Sequence, residues 1–346
     1  MPLSDHVTVS SWHDRPPHSF SISIVLTGRN DDHGGDFLGR LIQTLRFNHQ
    51  QLASRNITHE IVFVEWAPPR DRPRLFDLVV AALPELDRTM CAWYEVDARY
   101  QEGLALHPSL AYLEFIAKNV GIRRARGRFV LTTNCDVFLG RTILDAFERG
   151  SLSPATVYRA PRHDVDLGDE RTDVDWPVLE NPQILTRPVR PLKAPFFAGG
   201  TGDFILLDRE SFHRLRGFNE VYRVARFGID RNFLVKALSS GLSIEDIGGP
   251  VYHLSHGGSF RDNRHTYAGR EQDAHWGKTR WHSRGVIYAN PATWGLADAP
   301  IIAAGANRSI LDFSWRAVPP LVDLDRVVLP AARLGRPFPG EYVSKF

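Results

Sequence analysis

Between residues 20 and 139, short apolar runs alternate with stretches whose apolar residues recur at helical spacing. No other feature constrains the fold as much. Phe20–Thr27 begins by alternating and turns continuously apolar, as a strand buried on both faces does. A polar loop, Gly28-Arg29-Asn30-Asp31-Asp32-His33-Gly34-Gly35, follows it. Phe37, Leu38, Leu41, Ile42 and Leu45 then predict a helix, with Asp36 as its N-cap. Glu60–Val64 predicts a second strand, stopped after Glu65-Trp66 by Pro68-Pro69. A helix over Arg74–Leu83, a strand over Met90–Val96 and a helix over Pro108–Arg126 continue the series. Gly127 delivers the chain to a strand over Phe129–Thr133. The alternation argues for an α/β fold with a mostly parallel central sheet flanked by helices.

The strand over Phe129–Thr133 ends abruptly in polar residues, with Asn134 and Asp136 one residue apart. An extended backbone there places both side chains on one side of the chain. Open α/β sheets bind ligands at the carboxyl ends of their strands, which is where these two residues fall. The plainer alternative is a turn in which Asn134 caps backbone groups and Asp136 is solvated.

Further along, Thr142–Phe147 predicts a helix and Thr156–Ala160 a strand. Residues 161–195 are rich in Pro, Asp and Arg without periodicity, and predict a binding loop or flap. A glycine-rich turn, Gly199-Gly200-Thr201-Gly202-Asp203, enters the apolar run Phe204–Leu207. Asp208–Leu215 and a segment opened by Gly228-Ile229-Asp230 predict helices, and Ser243–Ile247 and Val251–His256 predict strands. The expected organisation is a tail over residues 1–19, one domain over 20–258 and an irregular extension over 259–346. Trp276, Trp281, Trp294 and Trp315 would pack that extension on the domain.

Bulk properties exclude several classes. A formal net charge of +2 over 346 residues gives no electrostatic case for nucleic acid. The two cysteines, Cys91 and Cys135, lack metal-type spacing and predict neither a disulfide scaffold nor an oxidising compartment. No apolar run approaches the roughly 18 residues of a spanning helix. The polar start, with Pro16 and Pro17, lacks a signal-peptide core. The expectation is a soluble, cytoplasmic protein without a transmembrane segment.

Five stretches, taken in order, resemble a nucleotide-sugar-dependent glycosyltransferase of the GT-A fold, of the large family-2-like inverting type. Ser23–Asn30 is similar to the first strand and its nucleotide-facing loop. Ile61–Glu65 is similar to the second strand, whose terminal acid meets the base or ribose. Ala117-Lys118-Asn119-Val120-Gly121 with Ala125-Arg126-Gly127 resembles the family's Ala-Arg-Asn-x-Gly…Ala-x-Gly helix. Asn134-Cys135-Asp136 stands where the Asp-x-Asp metal motif belongs. Arg209–Phe212, Gly217-Phe218-Asn219-Glu220 and Gly228-Ile229-Asp230 resemble the acceptor-side helix, Gly-Phe-Asp-Glu turn and Glu-Asp motif. The sequence departs from the family at Asn134, where the first Asp is expected, and at Ile229, where a Glu is expected.

The resemblance implies a hydroxyl acceptor, a saccharide being the expected one, a nucleoside-diphosphate-sugar donor and Mn²⁺ or Mg²⁺, in polysaccharide biosynthesis. It implies donor contacts from Thr27, Arg29, Asn30, Glu65, Lys118, Asn119 and Asn134, and acceptor contacts from Asp203, Asn219 and Glu220. It implies metal ligation by Asp136 with a late histidine, His256 or His253. These two are three apart, so on one strand they would point to opposite faces and only one would serve. An acceptor hydroxyl needs a carboxylate to take its proton, and Asp230 is the candidate base. Two other classes fit less well. A degenerate GT-A binding protein would explain Asn134 and Ile229. A sugar-phosphate nucleotidyltransferase would carry a Gly-x-Gly-Thr-Arg signature where Gly28-Arg29-Asn30-Asp31 stands. A dinucleotide-binding dehydrogenase lacks its Gly-x-Gly-x-x-Gly after an early strand.

Overall fold

The apolar runs make the middle of the sheet. β1 (Phe20–Gly28), β2 (His59–Trp66), β3 (Cys91–Val96) and β4 (Gly127–Thr132) lie parallel in the order β3-β2-β1-β4. The computed structural model describes residues 19–86, 91–106, 110, 112–168, 174–186, 191–194, 197, 201–221, 223, 228–256, 289–305 and 307–318. Residues 1–18 of the tail predicted over 1–19 lie outside the described residues, as do Met90, Gly199-Gly200, Gly257-Gly258, Trp276 and Trp281.

Period two divides β1 between two helical layers. Ile22, Ile24 and Leu26 meet α1 (Phe37–Ser54) and α2 (Leu75–Ala82), while Val25 meets α4 (Glu114–Arg124) on the other face. Burial of each such side chain contributes about 1.5–3 kcal/mol. Gly121 lets α4 lie close on the sheet, since a Cβ there would stand 2.5 Å from Val25 Cγ1. Beyond β4 the sheet turns antiparallel through β8 (Ile205–Asp208), then β6 (Thr156–Arg159), with β9 (Ser243–Asp246) at the edge.

Helix boundaries follow from caps. The left-handed Asp36 makes no side-chain cap at α1; Asp32 Oδ1 accepts from Phe37 N instead, at 3.2 Å. The helix predicted from Pro108 begins only at Glu114. Asp97 caps the unpredicted α3 (Ala98–Leu104), and Asp208 caps α7 (Arg209–Leu215). α5 spans Arg141–Glu148, and α8 spans Ile229–Ser239 behind the left-handed Gly228.

Two expectations of irregular chain are corrected. Within 161–195 the structure forms β7 (Arg162–Val165) and a one-turn α6 (Trp176–Leu179). In the expected extension, β12 (Arg308–Leu311) pairs parallel with β3, and β11 (Ile301–Ala303) pairs antiparallel with β12. The described part of the extension therefore completes the main sheet. Short half-buried strands carry too few apolar residues to show a period. β7 joins β10 (Val251–Leu254) and β5 (Val137–Leu139) in a second sheet of order β5-β10-β7. Among the described residues, no helix is long and apolar enough to cross a membrane.

A buried histidine pair clamps the end of α1 to the start of β2. His49 Nδ1 and His59 Nε2 are 3.0 Å apart, and His59 Nδ1 donates to Ile57 O at 2.8 Å. Burial, reinforced by His49, holds His59 below the ordinary histidine pKa against the opposing bond to Ile57. The unfolded chain therefore takes up this proton at higher pH than the folded one does. Stability is full above about 6.5 and falls as the pH drops below it. Thermal melting from pH 8 to 5 is expected to show that loss in the wild type and a shallower one in His59→Gln. Parallel curves would contradict the assignment.

Candidate active site

The end of β4 and the small sheet build the site together. After Thr132 the chain leaves the extended conformation, and Cys135-Asp136 form a turn into β5. Thr133 N still donates to Val25 O at 3.2 Å, and Leu254 N donates to Asp136 O at 2.9 Å. The loop is thus pinned between β1 and β10. Gly140 is required here: a Cβ would collide with Pro250 O and force β5 away from β10. Because the backbone turns, Asn134 and Asp136 do not share a side, and each belongs to a different cluster.

Asp136 faces both histidines. His256 Nε2 lies 3.0 Å from Asp136 Oδ2, and His253 Nε2 lies 3.6 Å from Oδ1. The expectation that the two histidines point to opposite faces is corrected: both rings stand against Asp136. β10 ends at Leu254, so His256 lies past the strand and turns back to the face that His253 occupies. Burial alone would raise the Asp136 pKa, but His253, His256 and Arg40 hold it well below the carboxylate range. Asp136 Oδ1 is buried and has no hydrogen-bond partner among the described residues. One carboxylate and two imidazoles, with ligand atoms all within 4.8 Å of one another, fit a divalent metal ion. An orphaned carboxylate oxygen facing an imidazole is what such a site presents before loading.

A cation that no sequence motif singles out stands beside the cluster. Arg40, buried on α1, stands 3.9 Å from Asp136 Oδ2. It donates to His33 O at 2.6 Å and to Gly35 O, tying the loop after β1 to the cluster. The His33 and His256 rings meet edge-on at 5.8 Å.

Asn134 belongs to a second chain of polar groups. Lys118 Nζ donates to Asn134 Oδ1 at 2.9 Å, and Asn134 Nδ2 donates to Asp203 Oδ1 at 2.7 Å. The amide is thus engaged at both ends, and an aspartate at 134 would set two carboxylates against each other. Lys118 also bonds Gly202 O at 3.0 Å and pairs with Glu114 at 2.8 Å. Its three donors are spent and the residue is fully buried, so it braces this loop. Asp230, in the first turn of α8, lies beside the same turn: a Cβ on Gly202 would be 3.9 Å from its Oδ2. Burial raises the Asp230 pKa; the Arg231 N–H and the buried Arg159 oppose that rise. Gly228 holds the N-cap position of α8 without a side-chain bond, and the Asp230 carboxylate accepts from the first-turn Arg231 N–H.

Several of the expected ligand-contact residues are hydrogen-bonded within the protein. Glu65 is fully buried and accepts from Leu75 N at 2.8 Å and Trp93 Nε1 at 3.2 Å. Asn119 bonds Phe218 O, Phe218 N and Glu220 Oε1, and Glu220 also accepts from Gly295 N at 2.7 Å. Asn219, buried, accepts from Val221 N. Thr27 donates to Val64 O and shares a hydrogen bond with Tyr112 Oη. Arg29, paired with Asp31 at 3.0 Å, and Asn30, bonded to Pro73 O, remain partly exposed on the loop after β1. That loop and Asp136 sit at one edge of the sheet, where β1 and β4 end side by side.

No protein-family model matches the sequence, and no curated protein does. Among solved structures, GalNAc-T7 with UDP, GalNAc and Mn²⁺ aligns at 13% identity and a TM-score of 0.45, over 77% of this chain and 51% of that one. This chain thus spans about half the length of that structure. The catalytic domain of Drosophila β1,4-galactosyltransferase 7 in complex with xylobiose aligns at 13% identity and a TM-score of 0.40, over 86% of this chain and 97% of that one. With both TM-scores below 0.5, the functional reading rests on the residues of the site.

Proposed function

We propose that the chain is a metal-dependent GT-A glycosyltransferase that moves a sugar from a nucleoside diphosphate to a hydroxyl acceptor with inversion. The observation that carries this reading is the Asp136–His253–His256 cluster at the carboxyl edge of the parallel strands, with Asp230 beside the facing Thr201–Asp203 turn. Two imidazoles beside one carboxylate favour Mn²⁺ over Mg²⁺, which prefers oxygen ligands and keeps several waters. A divalent ion there supplies Lewis-acid stabilisation of the diphosphate leaving group.

The chain's own residues supply the rest. Arg29 and Asn30, still partly exposed, are the loop residues best placed to meet the nucleotide. Asp230 accepts the proton of the acceptor hydroxyl, and burial makes its carboxylate more basic than a solvated one. A single displacement needs one such carboxylate, and the hydrophobic Ile229 beside it is buried in the core. The acceptor is a saccharide, and the protein works in the cytoplasm on polysaccharide. Incubation with UDP- and GDP-sugars and Mn²⁺, read as nucleoside diphosphate released with and without oligosaccharides, tests the reading. Release that depends on Mn²⁺ supports it; no release from any donor contradicts it.

A further inference from the structure

The metal cluster and the Asp203 turn lie on different sheets, and one side chain joins them. β7 and β10 pair in register so that Asp164 lies opposite His253 and Arg162 opposite Val251. Asp164 Oδ1 is consequently 3.2 Å from His253 Nδ1, the ring nitrogen facing away from Asp136. Arg162, two residues earlier on the same face of β7, grips that oxygen from Nε at 2.7 Å and from Nη2 at 2.5 Å. Its remaining arm, Nη1, donates to Asp203 Oδ2 at 2.9 Å. Asp203 is then held on its other oxygen by Asn134, and Asn134 by Lys118.

We propose that Arg162 is a positioning residue that fixes the ligand orientation of His253 through Asp164 and anchors it to Asp203 on the acceptor side. The proposal rests on the metal reading of Asp136, His253 and His256. A carboxylate behind a ligating histidine sets its tautomer and ring orientation and raises its basicity. Asp164 can do so only while its own position is fixed, and a planar guanidinium with donors in a rigid fork fixes it. The same fork neutralises two carboxylates that would otherwise repel each other across β7 and the Thr201–Asp203 turn. Lysine, a point charge, cannot hold both.

Titration of the metal-free protein with Mn²⁺, followed by the electron paramagnetic resonance signal of the unbound ion, tests this. Arg162→Met is expected to weaken Mn²⁺ binding about tenfold or more, as loss of an outer partner does. Asp164→Asn should weaken it by a similar factor, and the double variant by little more, because the two act in series. Asp203→Asn, which removes the far anchor, should weaken it by a smaller factor. Wild-type affinity in Arg162→Met or in Asp203→Asn, or fully additive losses in the double variant, would overturn the proposal. If Arg162→Met does not melt cooperatively, Arg162→Lys carries the same test with a smaller expected shift. Mn²⁺ binding that is unchanged by Asp136→Ala overturns the metal reading itself, whatever the Arg162 variants do.

Discussion

Asp136→Ala is expected to abolish Mn²⁺ binding, and with it Mn²⁺-dependent binding of nucleoside diphosphates. Asp136 is the one carboxylate in the cluster of three, and its buried Oδ1 has no hydrogen-bond partner among the described residues. Asn134, two residues before it, offers no substitute, because its amide oxygen accepts from Lys118. His256→Ala and His253→Ala should each cost more than the roughly 10–100-fold that loss of an outer partner causes. Asp164 Oδ1 stands 3.2 Å behind the His253 ring, at Nδ1, whereas His256 stands past the end of β10. The alanine series is read by calorimetry, with Asp136→Asn as the variant that preserves shape. Wild-type Mn²⁺ affinity in Asp136→Ala would mean that the turn after β4 is only a turn.

Asp230→Asn is expected to lower turnover by about 10²-fold or more while leaving donor binding unchanged, since a positioned base contributes 10²–10⁴-fold. The substitution keeps the side chain's shape at the start of α8, whose cap is Gly228. The pH dependence has a definite sign. Burial raises the Asp230 pKa above its usual 3.8, and the base works only when deprotonated. The rate should therefore fall on acidification through a pKa higher than that of a solvated aspartate, and this limb should vanish in the residual activity of Asp230→Asn. Steady-state rates across pH, with proton NMR of the product's anomeric configuration, check both parts. Near-normal turnover in Asp230→Asn, or a retained configuration, would contradict the assignment.

β1 and β2 were legible because each is buried on both faces along most of its length and reads as an apolar run, as Ile24–Leu26 and Ile61–Val64 do. Asp136 and His256 were legible from their place after such runs. β7 was not, because Arg162-His163-Asp164 are only partly buried in a three-stranded sheet and carry no apolar period. Arg162 and Asp164 went unread with it, although Asp164 lies 3.2 Å from His253. The two histidines were read as opposed because strand period was applied through residue 256, whereas the ladder ends at Leu254. Glu65, Lys118, Asn119, Asn219 and Glu220 were read as ligand contacts, and in the fold all are buried and hydrogen-bonded within the protein. Sequence order alone does not distinguish a polar residue facing a ligand from one closing a loop.

Asp136, His253 and His256 are expected to hold an ion on which nucleoside diphosphate binding depends. Calorimetric titration of UDP and of GDP into the protein, with Mn²⁺ and again with a chelator, tests it most directly. Binding of at least one of them with Mn²⁺, lost with the chelator and absent in Asp136→Ala, is the predicted result. Binding indifferent to Mn²⁺, or no binding of either nucleotide in its presence, would contradict the account.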